Sequence, residues 1–137
     1  MQRPETRARA RALQILYAWE LSGEPSIETI VARVAVMYGR APEAYDRGAE
    51  LAAQAVAGQR EFDQRVADAA EHWRFERVGV VERNILRLAL AEMAEGSTPA
   101  RVVIDEAVKL AHWFAGAKAP GFVNGVLDAV ARESGAL

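Results

Sequence analysis

The sequence predicts an all-α protein, and three observations support this fold class. Apolar residues recur at the three- and four-residue spacing of a helix, no segment alternates with period two for long enough to suggest a sheet, and 51% of the 137 residues are hydrophobic. Such a chain can bury a substantial core as a single domain. We expect a compact bundle of about seven helices in two packed halves, an N-terminal half at about residues 1–76 and a C-terminal half at about 77–137.

Proline, serine and glycine mark the ends of the first two predicted helices. The first helix runs from about Pro4, which suits an early helical turn, to residue 22. The second spans residues 26–38, with Ser26 as its N-cap and Gly39 as its stop. Both helices carry apolar residues on one face, so each is expected to pack that face against the core.

A longer helical stretch is predicted over residues 43–73, directly after Pro42. Gly48 and Gly58 lie inside it, and glycine weakens a helix interior. We therefore expect a kink or a break, near Gln59.

Three further helices are predicted in the C-terminal half. The helix over residues 80–94 is apolar around most of its circumference, which indicates the central buried helix. A Gly-Ser-Thr-Pro segment at residues 96–99 ends it. An amphipathic helix follows over residues 100–114, and a last helix over about 120–133 closes the chain.

Gly125 is unexpected inside the last predicted helix, because glycine there costs about 1 kcal/mol relative to alanine. Two explanations stay open. Another helix approaches so closely that no side chain fits, or Phe122, Asn124 and Gly125 form a surface that is presented to a partner.

Composition excludes several kinds of site. The chain has no cysteine, so disulfides, thiolate zinc sites and cysteine nucleophiles are impossible. His72 and His112 lie far apart, without the spacing of a metal site. Neither a Gly-x-Ser-x-Gly elbow nor a phosphate-cradling Gly-x-x-x-x-Gly-Lys-Ser/Thr motif occurs. No catalytic constellation stands out, and we predict that the protein holds neither a metal nor a cofactor.

The start of the chain lacks the apolar core of a signal peptide, and no run reaches the roughly 18 apolar residues of a membrane span. We expect a soluble, cytoplasmic protein that does not bind membranes.

Positive charge is concentrated at the start of the chain, although the formal net charge is only -2. Residues 1–11 hold four arginines against the single acid Glu5. On a helix the four arginines lie opposite or beside an apolar stripe, and Gln14 and Tyr17 extend this polar face. Guanidinium groups make bidentate hydrogen bonds to phosphates, and a tyrosine ring can stack on an unpaired base. The face predicts binding of single-stranded RNA through Arg3, Arg7, Arg9, Arg11, Gln14 and Tyr17. The alternative is a solvated helix face that keeps the protein soluble.

Two other side chains are candidates for partner binding. Glu82 lies near the start of the central helix, where it either pairs with an arginine or ends at a partner surface. Trp113 shares a polar side of its helix with Glu106 and Lys109, so it is either an exposed anchor or the cover of a crevice between two helices. Glu106 itself needs no function, because acids in the first turns favour the helix dipole.

Four segments together resemble the NusB family of bacterial transcription antitermination factors. The arginine-rich start runs into ALQILY at residues 12–17, and it is followed by ERNILRLA at 82–89, IDEAVKLA at 104–111 and FVNGVLD at 122–128. Each motif alone is weak, but four in register across nearly the whole chain are specific.

The resemblance implies an all-helical, non-enzymatic protein that pairs with NusE, a small-subunit ribosomal protein. The pair binds the boxA element of nascent ribosomal RNA and joins RNA polymerase with other Nus factors to suppress termination. The family's RNA-binding segment falls on Arg7, Arg9 and Arg11, and its aromatic position on Tyr17. Its C-terminal motif, which adjoins the RNA-facing surface, falls on Phe122, Asn124 and Gly125, and Glu82 falls in the region associated with NusE and RNA.

The sequence departs from the family at two positions. Gly121 stands where a basic residue commonly precedes the phenylalanine, and Lys118 stands in a loop that often carries an acid. The positive charge has therefore moved by three residues, and we include Lys118, Phe122 and Asn124 among the predicted RNA-binding residues.

Two other function classes stay open at this point. A NusB-like domain also occurs ahead of a ribosomal RNA cytosine methyltransferase, but no methyl-donor site is evident before Leu137, and length argues against that enzyme. The other is a helical protein-protein adaptor without RNA binding. A homodimer is also open, since some family members are dimeric and the sequence shows no clear seam.

Overall fold

A computed structural model describes residues 3–70 and 78–137, which form seven α-helices and one short 3-10 helix. The α-helices are α1 Pro4–Leu21, α2 Ile27–Met37, α3 Asp46–Ala57, α4 Gln59–Ala69, α5 Val80–Glu95, α6 Ala100–Phe114 and α7 Ala119–Glu133, and the 3-10 helix is Pro42–Tyr45. The described residues contain no strand, so the all-α prediction is confirmed. No helix among them is both long and apolar enough to cross a membrane.

Capping explains where the second helix begins. Ser26 precedes α2, and its Oγ accepts a hydrogen bond from the backbone N–H of Thr29 at 3.1 Å. This bond satisfies one of the amides that the first turn of a helix leaves without a partner. The helix then ends before Gly39, whose φ of 61° lies in the left-handed region. Both predicted ends are confirmed.

The long stretch predicted after Pro42 is divided as the glycines suggested. Gly58 ends α3 and precedes α4, and a Cβ built on it would lie 2.5 Å from the Phe62 ring. Gly48 interrupts nothing, because it lies inside α3 against α1, where its Cβ would meet the Ala8 carbonyl oxygen at 3.2 Å. The end of the predicted stretch, with Trp73, lies outside the described residues.

Helix α5 is the centre of the bundle, as its apolar circumference predicted. Every residue from 84 to 92 is buried, and α5 packs against α1, α3, α4, α6 and α7. One continuous core contains residues from all seven helices. The division into halves at about residue 76 lies outside the described residues and stays a prediction.

Buried and half-buried ion pairs connect α5 to its neighbours. Arg87 donates to both carboxylate oxygens of Asp63 in α4 at 2.8 Å, and to Glu20 in α1 at 3.2 Å. At the other end of α5, Arg47 of α3 donates to Glu95 through two nitrogens, at 2.7 and 3.0 Å. Removing a partner of the buried Arg87 is expected to be strongly destabilising, because one charge is then left uncompensated.

Candidate nucleic-acid interface

An apolar groove lies where the middle of α1 meets the start of α5 and the end of α6, and we call it the α1–α5–α6 groove. Its volume is about 410 Å³, within the range of pockets that bind small ligands, roughly 300–1,000 Å³. The residues that line it are Arg7, Ala10, Arg11, Leu13, Gln14, Tyr17, Val81 and Phe114. Four of the predicted RNA-binding residues therefore share one concave surface.

A tight turn brings these helices together. Gly96 ends α5 with a φ of 80°, a left-handed conformation that glycine adopts without steric cost. Only residues 96–99 then separate α5 from α6, so the two helices run antiparallel. The first turn of α5 consequently lies beside the last turn of α6, which is why Val81 and Phe114 line the same groove.

The polar face of α1 is largely as the helical spacing predicted. The apolar stripe of Ala8, Ala12, Ile15, Leu16 and Trp19 is buried. On the other side Arg7 is exposed, Gln14 is half-buried, and Tyr17 is 42% exposed at the edge of the groove. Tyr17 is therefore not a core residue, and its ring is accessible to a ligand.

Arg9 does not belong to this face, and its predicted RNA contact is corrected. It is only 8% exposed, and its guanidinium donates to Glu92 of α5 at 2.8 Å and to Glu106 of α6 at 2.9 Å. The hydrogen bond to Glu92 raises the pKa of Arg9 despite burial. A guanidinium that is occupied in this way cannot also bind phosphate, so Arg9 is a structural residue.

Glu106 has a structural role that the sequence analysis missed. Burial disfavours its charged form, but hydrogen bonds from Lys109 and Thr6 and the charge of Arg9 outweigh burial and lower the pKa of Glu106. With Glu92 it compensates Arg9 inside the bundle. The only sequence indication was a short polar side chain, Thr6, beside the apolar stripe.

Arg11 and Arg3, two other arginines of the predicted RNA-binding set, have different surroundings. Arg11 lines the groove but also donates to the Ala44 carbonyl oxygen at 2.7 Å, and its guanidinium lies 5.3 Å from the centre of the Tyr45 ring. It therefore helps to hold the 3-10 helix on α1. Arg3 is exposed but lines a different depression, between the start of α1 and α6, together with Glu5 and Asp105.

Glu82 caps α5. Its Oε2 accepts a hydrogen bond from the backbone N–H of Gly79 at 3.1 Å, in place of the pair with an arginine that was one of the two predicted alternatives. The neighbouring Arg83 instead donates to Glu20 at 3.0 Å. Glu82 stays half-buried next to Val81, so its contact with a partner remains a prediction.

The end of α6 presents two aromatic rings. Trp113 is 43% exposed, which favours the exposed anchor over the crevice cover, and it meets Phe114 edge-on with ring centres 6.3 Å apart. Phe114 is 52% exposed, although it follows the buried Ala107 and Leu110 at helical spacing. Sequence analysis missed Phe114 because periodicity cannot tell where the neighbouring helices stop covering a stripe.

The C-terminal motif lies at the same end of the bundle, because only residues 115–118 separate α6 from α7. Lys118 and Asn124 are exposed, and Phe122 is half-buried against the core. Gly125 is exposed, and a Cβ built on it would have no neighbour within 4 Å. The close-approach explanation for Gly125 is therefore wrong within the described chain, whereas presentation to a partner stays a prediction.

Comparisons with known proteins agree on one family. The model of the NusB family matches residues 6–132. The transcription antitermination protein NusB of Solibacter usitatus (strain Ellin6076) is 48% identical over 93% of this chain and 88% of its own. Among solved structures, T. maritima NusB has a TM-score of 0.82 and 28% identity over 97% of this chain and 94% of its own. A chain of the crystal structure of antitermination factors NusB and NusE in complex with dsRNA has a TM-score of 0.81 and 33% identity over 97% of this chain and 99% of its own.

Proposed function

The chain belongs to the NusB family, and from this premise we propose that it is an RNA-binding transcription antitermination factor. With NusE it binds boxA of nascent ribosomal RNA, and the complex joins RNA polymerase and other Nus factors. Its role is binding, without catalysis, and it acts in the cytoplasm, where bacterial transcripts are made. The similarity extends over 88% of a relative named as an antitermination protein, which favours this role over that of a methyltransferase domain.

The observation that carries the proposal is the meeting of Arg7, Arg11, Gln14 and Tyr17 on one groove. Guanidinium groups bind phosphate, the glutamine amide reaches base edges, and the tyrosine ring stacks on bases. Lys118 extends the positive charge at the same end of the bundle. The proposed RNA surface consists of Arg3, Arg7, Arg11, Gln14, Tyr17, Lys118, Phe122 and Asn124.

We assign partner contacts to Glu82 and Trp113, which lie at the start of α5 and the end of α6. The half-buried carboxylate of Glu82 and the exposed ring of Trp113 offer a polar and an apolar contact to a partner. NusE docked there would lie next to RNA bound along α1.

The test is titration of labelled boxA RNA with the protein, with and without NusE, at several salt concentrations. Arg7→Ala is expected to weaken binding and to flatten its salt dependence by about one unit of the log–log slope, because one phosphate contact is lost. Arg33→Ala is the matched control, since Arg33 is an exposed arginine on α2 away from the groove. Equal effects of the two substitutions, or no RNA binding with NusE present, would favour the adaptor without RNA.

A further inference from the structure

The α1–α5–α6 groove has a property that phosphate binding does not need, namely a largely apolar lining. Ala10, Leu13 and Val81 form apolar parts of its wall, and the rings of Tyr17 and Phe114 contribute to it. A surface that binds only the RNA backbone requires cations and amides on an open face. An apolar groove with a volume of about 410 Å³ instead suits a flat group that is removed from water when it binds.

The charges of the groove indicate what kind of molecule carries that flat group. Two guanidinium groups line the groove, from Arg7 and Arg11, and no carboxylate of the described residues does. The groove therefore favours an apolar ring that is attached to an anionic chain. A nucleotide has this combination, because its base is flat and its backbone carries a phosphate.

We propose that the α1–α5–α6 groove accepts an unpaired nucleobase of the bound RNA, in contact with the rings of Tyr17 and Phe114. The proposal rests on the proposed RNA-binding function and specifies which chemical group enters the groove. Phe114 is thereby a base-binding residue, and Gln14 is placed to hydrogen-bond the edge of that base. The edge-on contact between Phe114 and Trp113 supports the orientation of the Phe114 ring.

An unpaired base is required for a physical reason. In a duplex the bases are stacked and paired, so their faces cannot enter a groove on the protein surface. A base that is turned out of a single strand exposes both faces and can stack on aromatic rings. The groove therefore selects single-stranded RNA over a duplex of the same sequence.

The experiment is a double-mutant cycle between the protein and the RNA. A set of boxA RNAs, each with one base replaced by an abasic site, is titrated against the wild-type protein and the Phe114→Ala variant in the presence of NusE. Tyr38→Ala is the matched control, because Tyr38 is an aromatic residue that is 56% exposed at the end of α2. Phe114→Tyr is the rescue variant, since it retains the ring.

We expect Phe114→Ala to weaken binding of the intact RNA about tenfold, and Phe114→Tyr and Tyr38→Ala to change it less than about threefold. One or two abasic positions should weaken wild-type binding by a similar factor and cause no further loss in Phe114→Ala, because both changes remove the same contact. A fully paired duplex should bind at least about tenfold more weakly than the single strand.

Three results would overturn the proposal and leave the proposed function intact. These are additive losses at every abasic position, equal affinity for the single strand and the duplex, and loss of NusE affinity in Phe114→Ala with unchanged RNA affinity in its absence. The last result would assign the groove to a protein side chain. Absence of RNA binding by the wild-type protein with NusE would instead contradict the proposed function itself.

Discussion

Arg9 shows that a single position on a helix decides between a structural and a binding arginine. It lies only one residue from Ala8, which is buried, so its side chain points towards α5 and α6 rather than away from them. Arg7 lies two positions earlier, which turns it about 200° around the helix onto the exposed face. Two arginines of the same short segment thus have different functions.

We predict that Arg9→Ala lowers the free energy of unfolding by roughly 3–5 kcal/mol, because it leaves Glu92 buried without its cation and Glu106 with Lys109 alone. Urea unfolding measures the change, and Arg33→Ala, at an exposed arginine on α2, is the control that should change stability by less than about 0.5 kcal/mol. Similar small losses for both variants would show that the Arg9 cluster does not stabilise the bundle.

Gly125 offers a second test at the residue scale. Its Cβ position is open and its helix is regular, so Gly125→Ala should raise the free energy of unfolding by about 0.5–1 kcal/mol through the higher helix propensity of alanine. If Gly125 serves a partner surface, the same variant should bind NusE or boxA RNA more weakly. Thermal unfolding and calorimetric titration measure the two effects, and a gain in stability with unchanged binding would mean that the glycine serves neither partner.

At the scale of elements, the ion pair between Arg47 of α3 and Glu95 of α5 makes the free energy of unfolding depend on pH. The pKa of Glu95 is lowered from 4.5 to about 2, mainly because Arg47 donates two hydrogen bonds to it. The folded state therefore binds the proton less tightly than the unfolded state does. The stabilisation is present above about pH 4.5 and is lost as the pH falls through about 2.

We predict that Glu95→Gln lowers the free energy of unfolding by about 1–3 kcal/mol at pH 7, and that its difference from the wild type narrows between pH 4.5 and 2. Urea unfolding across this pH range measures it. Glu133→Gln, at an exposed position near the end of α7, is the control and should stay within about 0.5 kcal/mol of the wild type. A difference that does not depend on pH would contradict the linkage.

The pair also lies away from the α1–α5–α6 groove, because Glu95 ends α5 whereas Val81 near its start lines the groove. Glu95→Gln should therefore leave RNA affinity unchanged at neutral pH. The two ends of α5 are therefore expected to differ, with an ion pair that stabilises the fold at one end and the groove at the other.

At the scale of the whole molecule, the charge count limits RNA binding. The net charge is -2, and Arg9 pairs with a buried acid instead of lying on the basic face. This chain alone can therefore make few contacts with phosphates. At physiological salt each such contact contributes little. A second chain must supply the rest of the affinity.

We predict that NusE raises the affinity for boxA by roughly 1–3 kcal/mol, the usual range of coupling between two binding events. Linkage then requires boxA to tighten the binding of NusE by the same factor. Calorimetric titration of NusE into the protein with and without boxA measures this factor. Equal affinities in the two titrations would exclude cooperative loading.

The sequence by itself determined the fold class, the helix ends and the family. These properties depend on local interactions, such as the cap at Ser26, the break at Gly58 and the apolar period of α5, or on motif order along the chain. The basic face of α1 was visible for the same reason, since helical spacing places Arg7, Gln14 and Tyr17 on one side of the apolar stripe.

Only the tertiary structure decided which residues of that face are available to a ligand. Periodicity gives the direction of a side chain but not the partner it meets, and so it could not show that Arg9 reaches two acids on other helices, 83 and 97 residues away in sequence. For the same reason it could not decide between the two explanations for Gly125, whose Cβ position has no neighbour within 4 Å, and it did not identify Gly48 as the glycine that packs closely against another helix. The groove that joins Tyr17 to Phe114 exists because α1, α5 and α6 meet at one end of the bundle. Contacts between distant segments of the chain create this groove, and no local pattern encodes them.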